Sequence, residues 1–219
     1  MTRIVFVLFP GVTQLDMTGP AQVLSRIPGG TVAVAARTLD PVGTDSGFAL
    51  VPTAIFDNVL QSDILCVPGG HGVTEALGDH ATVDFIRRQA LGAKWVTSVC
   101  TGAFLLGRAG LLEGKSATTH WAYTHLLPLV GARHVAERVV EDGNVITAGG
   151  VTAGIDFALT LTARYAGEEA ARRVQLALEY DPHPPFDSGT PSAAGEEQTR
   201  GLREHIYDAA AARMAAALV

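Results

Sequence analysis

The chain is poor in cysteine and lacks the motifs by which proteins commonly bind metals. Its 219 residues include two cysteines, Cys66 and Cys100, which is too few for the disulfide framework of a small secreted domain. It contains neither a Cys-x-x-Cys nor a His-Glu-x-x-His motif. We therefore expect no disulfide and no metal site.

Positive charge and long hydrophobic runs are also scarce. The net charge is −6, and no run of lysine and arginine suggests a nucleic-acid-binding face. The apolar segment at residues 4–9 is too short to cross a membrane, and it lacks the layout of a signal peptide. We expect a cytoplasmic protein that binds neither nucleic acid nor membrane.

Strand-like and helix-like segments alternate along the chain. Apolar runs at residues 3–9, 31–38, 63–68 and 94–99 predict strands, and residues 84–91, 120–130, 152–165, 168–180 and 195–219 predict helices. Turn residues at 45–47 and 141–144 predict hairpins, and Gly19-Pro20 predicts a break in a helix at residues 13–27. The pattern predicts one α/β domain over residues 1–219, with a mostly parallel sheet covered on both faces and a C-terminal loop and helix at 181–219.

The most informative residue is Cys100, because an apolar strand runs directly into it and a helical pattern follows at once. This is the arrangement of a nucleophile elbow, in which a strand-to-helix turn presents a reactive side chain. Free backbone N–H groups and the helix dipole at such a corner favour a thiolate. We expect Cys100 to be the nucleophile, whereas Cys66 lies within a buried strand and is expected to be inert packing.

Asp16 follows the first strand, and its carboxyl group could reach the same end of the sheet as Cys100. It could instead cap the turn at Thr18-Gly19-Pro20. Beside a thiolate, the protonation of Asp16 would be coupled to that of the sulfur, so that this residue could deliver a proton to a substrate.

A glycine-rich loop, Gly69-Gly70-His71-Gly72, follows another predicted strand. No Gly-Lys-Ser/Thr follows it, so it is not a phosphate-binding loop. Its backbone N–H groups, together with that of Thr101, could form a pocket for developing negative charge. The Thr101 hydroxyl could act as a further donor or could cap the helix after Cys100.

Two more polar residues stand out in apolar surroundings. His120 is a candidate for contacting substrate, although a lone histidine more often has a structural role. Asp156 is an unusual charge on an apolar helix, and we expect it to hold a backbone group or a neighbouring helix.

Taken together, these motifs resemble the ThiJ/PfpI branch of the class I glutamine-amidotransferase-like superfamily, and within it the isonitrile hydratases. The matching segments span nearly the whole chain: residues 9–20, 67–70, 97–102, 117–123, 149–159, 173–176, 179–180 and 184–186. The cysteine elbow alone marks the superfamily. The combination of Leu15-Asp16 with Cys100-Thr101-Gly102 points to the hydratases.

The resemblance implies a flavodoxin-like sandwich, a homodimer and no cofactor. It implies hydration of a small isonitrile to an N-substituted formamide, with Cys100 attacking carbon and with Asp16 and Thr101 assisting. Many superfamily members carry glutamate where this chain has Asp16, and a smaller or non-basic residue is expected in many relatives at His71. A ring at His71 could narrow the pocket or add a donor.

Two other functions fit parts of the same pattern. Glyoxalases, deglycases and stress-response proteins use a similar cysteine, but they favour glutamate at the position of Asp16. Related domains also serve as non-catalytic ligand sensors in AraC-type regulators, which need an additional DNA-binding region of roughly a hundred residues.

Overall fold

A computed structural model describes all of residues 1–219. The strands are β1 Thr2–Val7, β2 Gly30–Ala36, β3 Val42–Gly43, β4 Ala49–Leu50, β5 Ala54–Ile55, β6 Ile64–Val67, β7 Trp95–Val99, β8 Ser116–Ala117, β9 Arg133–His134, β10 Val139–Asp142 and β11 Val145–Ala148. The α-helices are α1 Gln14–Leu24, α2 Val73–Ala76, α3 His80–Gly92, α4 Gly102–Arg108, α5 Ala153–Ala166, α6 Glu168–Ala177, α7 Pro191–Ala194, α8 Glu196–Leu202 and α9 Asp208–Leu218.

Seven of the strands form the central sheet, in the order β10-β11-β7-β6-β1-β2-β5. All neighbours are parallel except the edge pair β10–β11, which is one of the two predicted hairpins. The predicted mostly parallel sheet is therefore confirmed. The other predicted hairpin is formed by β3 and β4 outside this sheet.

Helices cover both faces of the sheet. On one face α1 packs against α5, and on the other α4 packs against α2 and α3. The strands β1 and β6 are buried along almost their whole length, as expected for parallel strands enclosed on both sides. Cys66 lies in the middle of β6 and is buried, which agrees with its predicted packing role.

The predicted break at Gly19-Pro20 is wrong, because α1 continues without interruption from Gln14 to Leu24. Pro20 removes one backbone hydrogen bond from the helix. Pro20 is buried where α1 packs against α5, and a Cβ added to Gly154 would lie 3.1 Å from its Cδ. Tight packing between the two helices therefore offsets the local cost of the proline.

Two other segments differ in type from the expected helices. Residues Trp121–Val130 form a 3-10 helix, and the predicted C-terminal helix contains a π-helical turn at Arg203–Tyr207, between α8 and α9. The predicted loop at residues 181–194 contains the short helix α7. No helix combines the length and the apolar character that a membrane span requires.

Candidate active site

Three loops meet at the carboxyl end of the sheet, after β1, β6 and β7. The backbone N–H of Thr13 donates to the carbonyl of Gly69 over 3.0 Å, and the N–H of Gly72 donates to the carbonyl of Gly11, also over 3.0 Å. These bonds join the first loop to the glycine-rich loop. They bring the segment that precedes Asp16 beside the end of β6.

Cys100 occupies the sharp turn between β7 and α4. Its φ angle is +56°, a left-handed conformation that is uncommon for residues other than glycine. The turn is held by its backbone N–H, which donates to Ala148 and Gly149, and by its carbonyl, which accepts from the Thr119 hydroxyl over 2.7 Å. These bonds account for the strained backbone, and the side chain is 6% exposed.

The thiol of Cys100 is harder to ionise than the sequence suggests. Burial and the neighbouring carboxyl group of Asp16 raise its pKa well above the ordinary value, against the opposing effect of hydrogen bonds from Thr101 and Val151. Burial and the Asp16 carboxyl group thus oppose the thiolate that the helix start was expected to favour. The donors at the helix start are present, but desolvation outweighs them.

Asp16 lies in the first turn of α1 and is fully buried. Its Oδ2 accepts the backbone N–H of Gly69 over 2.9 Å, and the carboxyl group also interacts with the Cys100 thiol. Of the two roles left open by the sequence, the structure supports the position beside the sulfur. The side chain caps no helix.

The carboxyl group of Asp16 is poised to exchange a proton near neutral pH. Burial raises its pKa from 3.8 to about 7, and Asp45 contributes in the same direction, while the Gly69 N–H and the Cys100 thiol lower it. The Cys100 thiol stabilises the Asp16 carboxylate by a hydrogen bond, whereas an ionised Asp16 opposes ionisation of the thiol, because the two negative charges would repel. The pair therefore holds one proton over a range of pH above about 7.

The glycine-rich loop supports these two residues, and the N–H groups of Gly69 and Gly70 are occupied. The N–H of Gly69 donates to Asp16, and the N–H of Gly70 donates to the Thr101 hydroxyl over 3.0 Å. The expected pocket of free N–H groups for negative charge is therefore absent at these positions. A Cβ on Gly69 would lie 2.6 Å from both the nitrogen and the hydroxyl oxygen of Thr101, so only glycine fits there.

Thr101 stands at the start of α4 but does not cap it. Its hydroxyl accepts from Gly70 and also lowers the pKa of the Cys100 thiol through a hydrogen bond. The alternative role of Thr101 as a helix cap is therefore wrong. The hydroxyl belongs to the site.

His120 caps the 3-10 helix and also faces the site. Its Nδ1 accepts the backbone N–H of Ala122 over 3.3 Å, which leaves Nε2 to carry the proton of the neutral ring. Burial, reinforced by the charge of His71, lowers the pKa of His120 to about 4. At neutral pH this ring is an uncharged donor.

A cavity of about 160 Å³ opens above the sulfur. Of the predicted residues, Gly70, His71, Cys100, Thr101 and His120 line it, whereas Asp16 and Gly69 lie behind this wall. The other lining residues were not predicted from the sequence, and they are Thr13, Asp45, Tyr123, Val151 and Tyr207. Tyr123 lay in a matched segment, but no local signal marked Tyr207, which comes from the far end of the chain.

Asp156 is less buried than expected and lies apart from the cavity. Its carboxyl group accepts from the Tyr180 hydroxyl over 2.9 Å and pairs with Arg138. It therefore holds side chains of neighbouring segments. No group of three or more His, Cys, Asp or Glu side chains is arranged to hold a metal ion.

Known proteins of one family resemble this chain in sequence and in structure. The model of the DJ-1/PfpI family matches residues 2–164. An isonitrile hydratase of Pseudomonas putida is 51% identical over 97% of each chain, and protein DJ-1alpha of Drosophila melanogaster is 30% identical over 78% of this chain and 81% of the other. The crystal structure of a ThiJ/PfpI family protein from Pseudomonas syringae superposes with a TM-score of 0.95 and 37% identity, covering 99% of this chain and 90% of that one.

Proposed function

This chain belongs to the DJ-1/PfpI family, and from that premise we propose that it is an isonitrile hydratase, which converts an isonitrile and water into an N-substituted formamide. The carrying observation is the Cys100 thiol at the wall of a small cavity, with the carboxyl group of Asp16 buried beside the sulfur. The near full-length similarity to the Pseudomonas putida hydratase supports the choice of substrate.

The reaction needs both an acid and a nucleophile at one carbon atom. An isonitrile carbon carries a lone pair and becomes strongly electrophilic when it is protonated. The Cys100–Asp16 pair with one proton can supply both functions, since moving the proton from the thiol to the carboxylate creates a thiolate beside a carboxylic acid. General acid–base help of this kind is worth roughly 10²–10⁴-fold.

In the first step, Asp16 donates its proton to the isonitrile carbon while the Cys100 thiolate bonds to the same atom. The product is a thioimidate, and Asp16 is left as a carboxylate. In the second step, the carboxylate takes a proton from water as the water oxygen attacks the thioimidate carbon, and the proton passes to nitrogen. The carbon–sulfur bond then breaks, the hydroxyl proton returns to Asp16, and the formamide and thiolate separate.

The remaining predicted residues have supporting roles in this proposal. Gly69 holds the carboxyl group of Asp16, and Gly70 holds the Thr101 hydroxyl near the sulfur through both its N–H and its carbonyl. His71 and His120 line the space that the substrate would occupy, and the neutral His120 ring can donate a hydrogen bond from Nε2. No cofactor is required by these steps.

The direct test is incubation of the purified protein with an alkyl isonitrile, with the formamide measured by NMR. We expect formamide to accumulate and methylglyoxal to remain unchanged. Conversion of methylglyoxal to lactate without isonitrile turnover would favour the glyoxalase alternative. Specific DNA binding in a gel shift, without turnover, would favour the ligand-sensing alternative.

We expect kcat/KM for isonitrile hydration to rise with pH through about 7 and to stay level past pH 9. Below pH 7 the carboxyl group of Asp16 and the thiol of Cys100 are both protonated and the site has no nucleophile, because the pKa of Asp16 is about 7. Above pH 7 Cys100 and Asp16 share one proton, since the pKa of Cys100 is raised. A pH–rate profile with a non-titrating isonitrile measures this, and the variant His120→Gln should keep the same midpoint. A profile flat between pH 5 and 8 would contradict the shared-proton pair.

We propose that the protein is a homodimer and that the β3–β4 hairpin contributes to its interface. Leu39, Phe48 and Val51 are apolar side chains around this hairpin that are about half or more exposed. We expect Phe48→Asp to convert a dimer of the 22.9 kDa chain into a monomer, as measured by light scattering. Leu91→Asp changes a more exposed apolar residue, on α3, and should leave the dimer intact. Dissociation by both variants, or by neither, would contradict this interface.

The chain is proposed to act as one cytoplasmic domain over residues 1–219. Its two cysteines are free thiols, which suits a reducing compartment. The C-terminal segment at 181–219 is an extension of that domain, because α9 packs against the 3-10 helix that borders the cavity.

A further inference from the structure

The cavity above Cys100 is closed in part by a segment that lies beyond the family match. The DJ-1/PfpI match ends at residue 164, whereas Tyr207 lies in the C-terminal segment and lines the cavity with Cys100. A wall supplied from outside the common family domain is suited to setting which substrate fits, rather than to performing the shared chemistry.

Tyr207 is the last residue of the π-helical turn at Arg203–Tyr207. A π turn inserts an extra residue into a helix, rotates the side chains that follow, and occurs often at functional sites. The turn is fastened to the domain, because the Arg203 guanidinium lies over the Trp121 ring at 5.5 Å from its centroid. Tyr207 is therefore presented toward the cavity by a fixed local distortion of the helix.

The ring of Tyr207 belongs to an aromatic cluster. Its centroid lies 5.0 Å from that of His120, 5.3 Å from that of Trp121 and 6.0 Å from that of Tyr123. These are favourable distances for edge-to-face contacts between rings. Of this cluster, His120, Tyr123 and Tyr207 line the cavity together with Cys100 and give it an aromatic wall.

Neither tyrosine hydroxyl of this wall is engaged with the protein. The tyrosine hydroxyls that form hydrogen bonds in the structure are those of Tyr165 and Tyr180. The contacts that hold Tyr207 in the wall are therefore those of its ring with His120, Trp121 and Tyr123.

An isonitrile is linear at its carbon and nitrogen atoms, so its N-substituent must point away from the sulfur when the carbon meets Cys100. In this cavity that direction leads from the buried thiol toward the aromatic wall. A space of about 160 Å³ is close to the size of an apolar cavity that binds benzene. A single planar ring fits both the volume and the wall.

Resting on the proposed function, we infer that Tyr207 is a specificity-determining residue whose ring packs on the N-substituent and favours single-ring aryl isonitriles over small alkyl ones. The ring of Tyr207, rather than its hydroxyl, carries the selectivity. Cys100 and Asp16 act identically on both classes of substrate.

The test compares kcat/KM for phenyl isonitrile and methyl isonitrile in the wild type and in three variants. We expect Tyr207→Ala to lower the value for phenyl isonitrile about tenfold, mainly through KM, and to leave methyl isonitrile within about twofold. Tyr207→Phe should keep the wild-type ratio. His205→Ala is the matched control, since this exposed side chain lies in the same π turn, does not line the cavity and hydrogen-bonds to the Gly201 carbonyl.

Equal losses for both substrates in Tyr207→Ala would leave the ratio of their kcat/KM values unchanged. That result would assign a structural role to Tyr207 and overturn the inference. Loss of the preference for phenyl isonitrile in Tyr207→Phe would also overturn it. Calorimetric binding of N-phenylformamide provides a readout that does not need turnover, and we expect about tenfold weaker binding in Tyr207→Ala. If the wild type hydrates no isonitrile, the proposed function fails. If the wild type and Tyr207→Ala bind N-phenylformamide with equal affinity, the role of Tyr207 fails, whether or not the proposed function holds.

Discussion

Replacing Cys100 by alanine is expected to reduce isonitrile hydration at least about 10⁴-fold. The variant keeps Asp16 and the cavity but has no atom that can bond to the isonitrile carbon. Protonation alone would then leave a cation without a nucleophile in a buried site. Formamide formation measured by NMR under saturating substrate gives the rate, and circular dichroism checks that the variant is folded.

The matched control for this change is Cys66→Ala. Cys66 is the other free thiol and is buried in β6, where burial raises its pKa to about 12. Loss of its sulfur should leave the rate within about threefold, because it contributes packing alone. Wild-type turnover in Cys100→Ala, or equal losses in the two variants, would remove Cys100 from the mechanism.

Replacing Asp16 by asparagine is expected to reduce activity about 10³-fold while making the folded protein more stable at pH 8. The amide keeps an acceptor for the Gly69 N–H but can neither deliver nor receive the reacting proton. The residue is therefore retained for its chemistry at a cost in stability, as buried charges at functional sites often are.

The sign of the stability effect follows from the direction of the pKa shift. Folding raises the pKa of Asp16 to about 7, so the folded state favours the neutral acid and loses stability as the pH rises from about 4 to 7. Asparagine is neutral throughout. We expect Asp16→Asn to raise the free energy of unfolding by roughly 2–4 kcal/mol at pH 8 and by less at pH 5.

Urea unfolding at the two pH values measures this difference. Asp84→Asn is the control, since this exposed carboxylate on α3 should change the free energy of unfolding by no more than about 0.5 kcal/mol. A destabilised Asp16→Asn variant at pH 8, or one with wild-type activity, would mean that the carboxyl group serves the fold rather than the reaction.

The main catalytic features were predictable from local sequence because they depend on chain direction. An apolar strand that runs directly into Cys100 and then into a helical pattern has few ways to fold, and the parallel sheet follows from the alternation of segments. Asp16 was found for the same reason, since residues after neighbouring parallel strands share one edge of the sheet. Its choice between a cap and a partner of the sulfur depended on tertiary contacts.

Features that arise from packing were not predictable. The continuous helix through Pro20 depends on the close approach of α5, and the raised pKa of Cys100 depends on burial that no local pattern reports. The free N–H groups expected in the glycine-rich loop are occupied because Asp16 and Thr101 fold onto them. Tyr207 reaches the cavity through a π turn in a segment with an ordinary helical pattern.

The most direct test of the account is mass spectrometry of the protein quenched with acid during turnover of an isonitrile. The account predicts a species heavier than the free chain by the mass of one isonitrile, with the added mass mapped to the peptide that contains Cys100. That species should form and decay at rates consistent with formamide release, and it should be absent in Cys100→Ala. Steady formamide release from the wild type with no such adduct at any quench time, under conditions that preserve a thioimidate standard, would contradict covalent catalysis by Cys100.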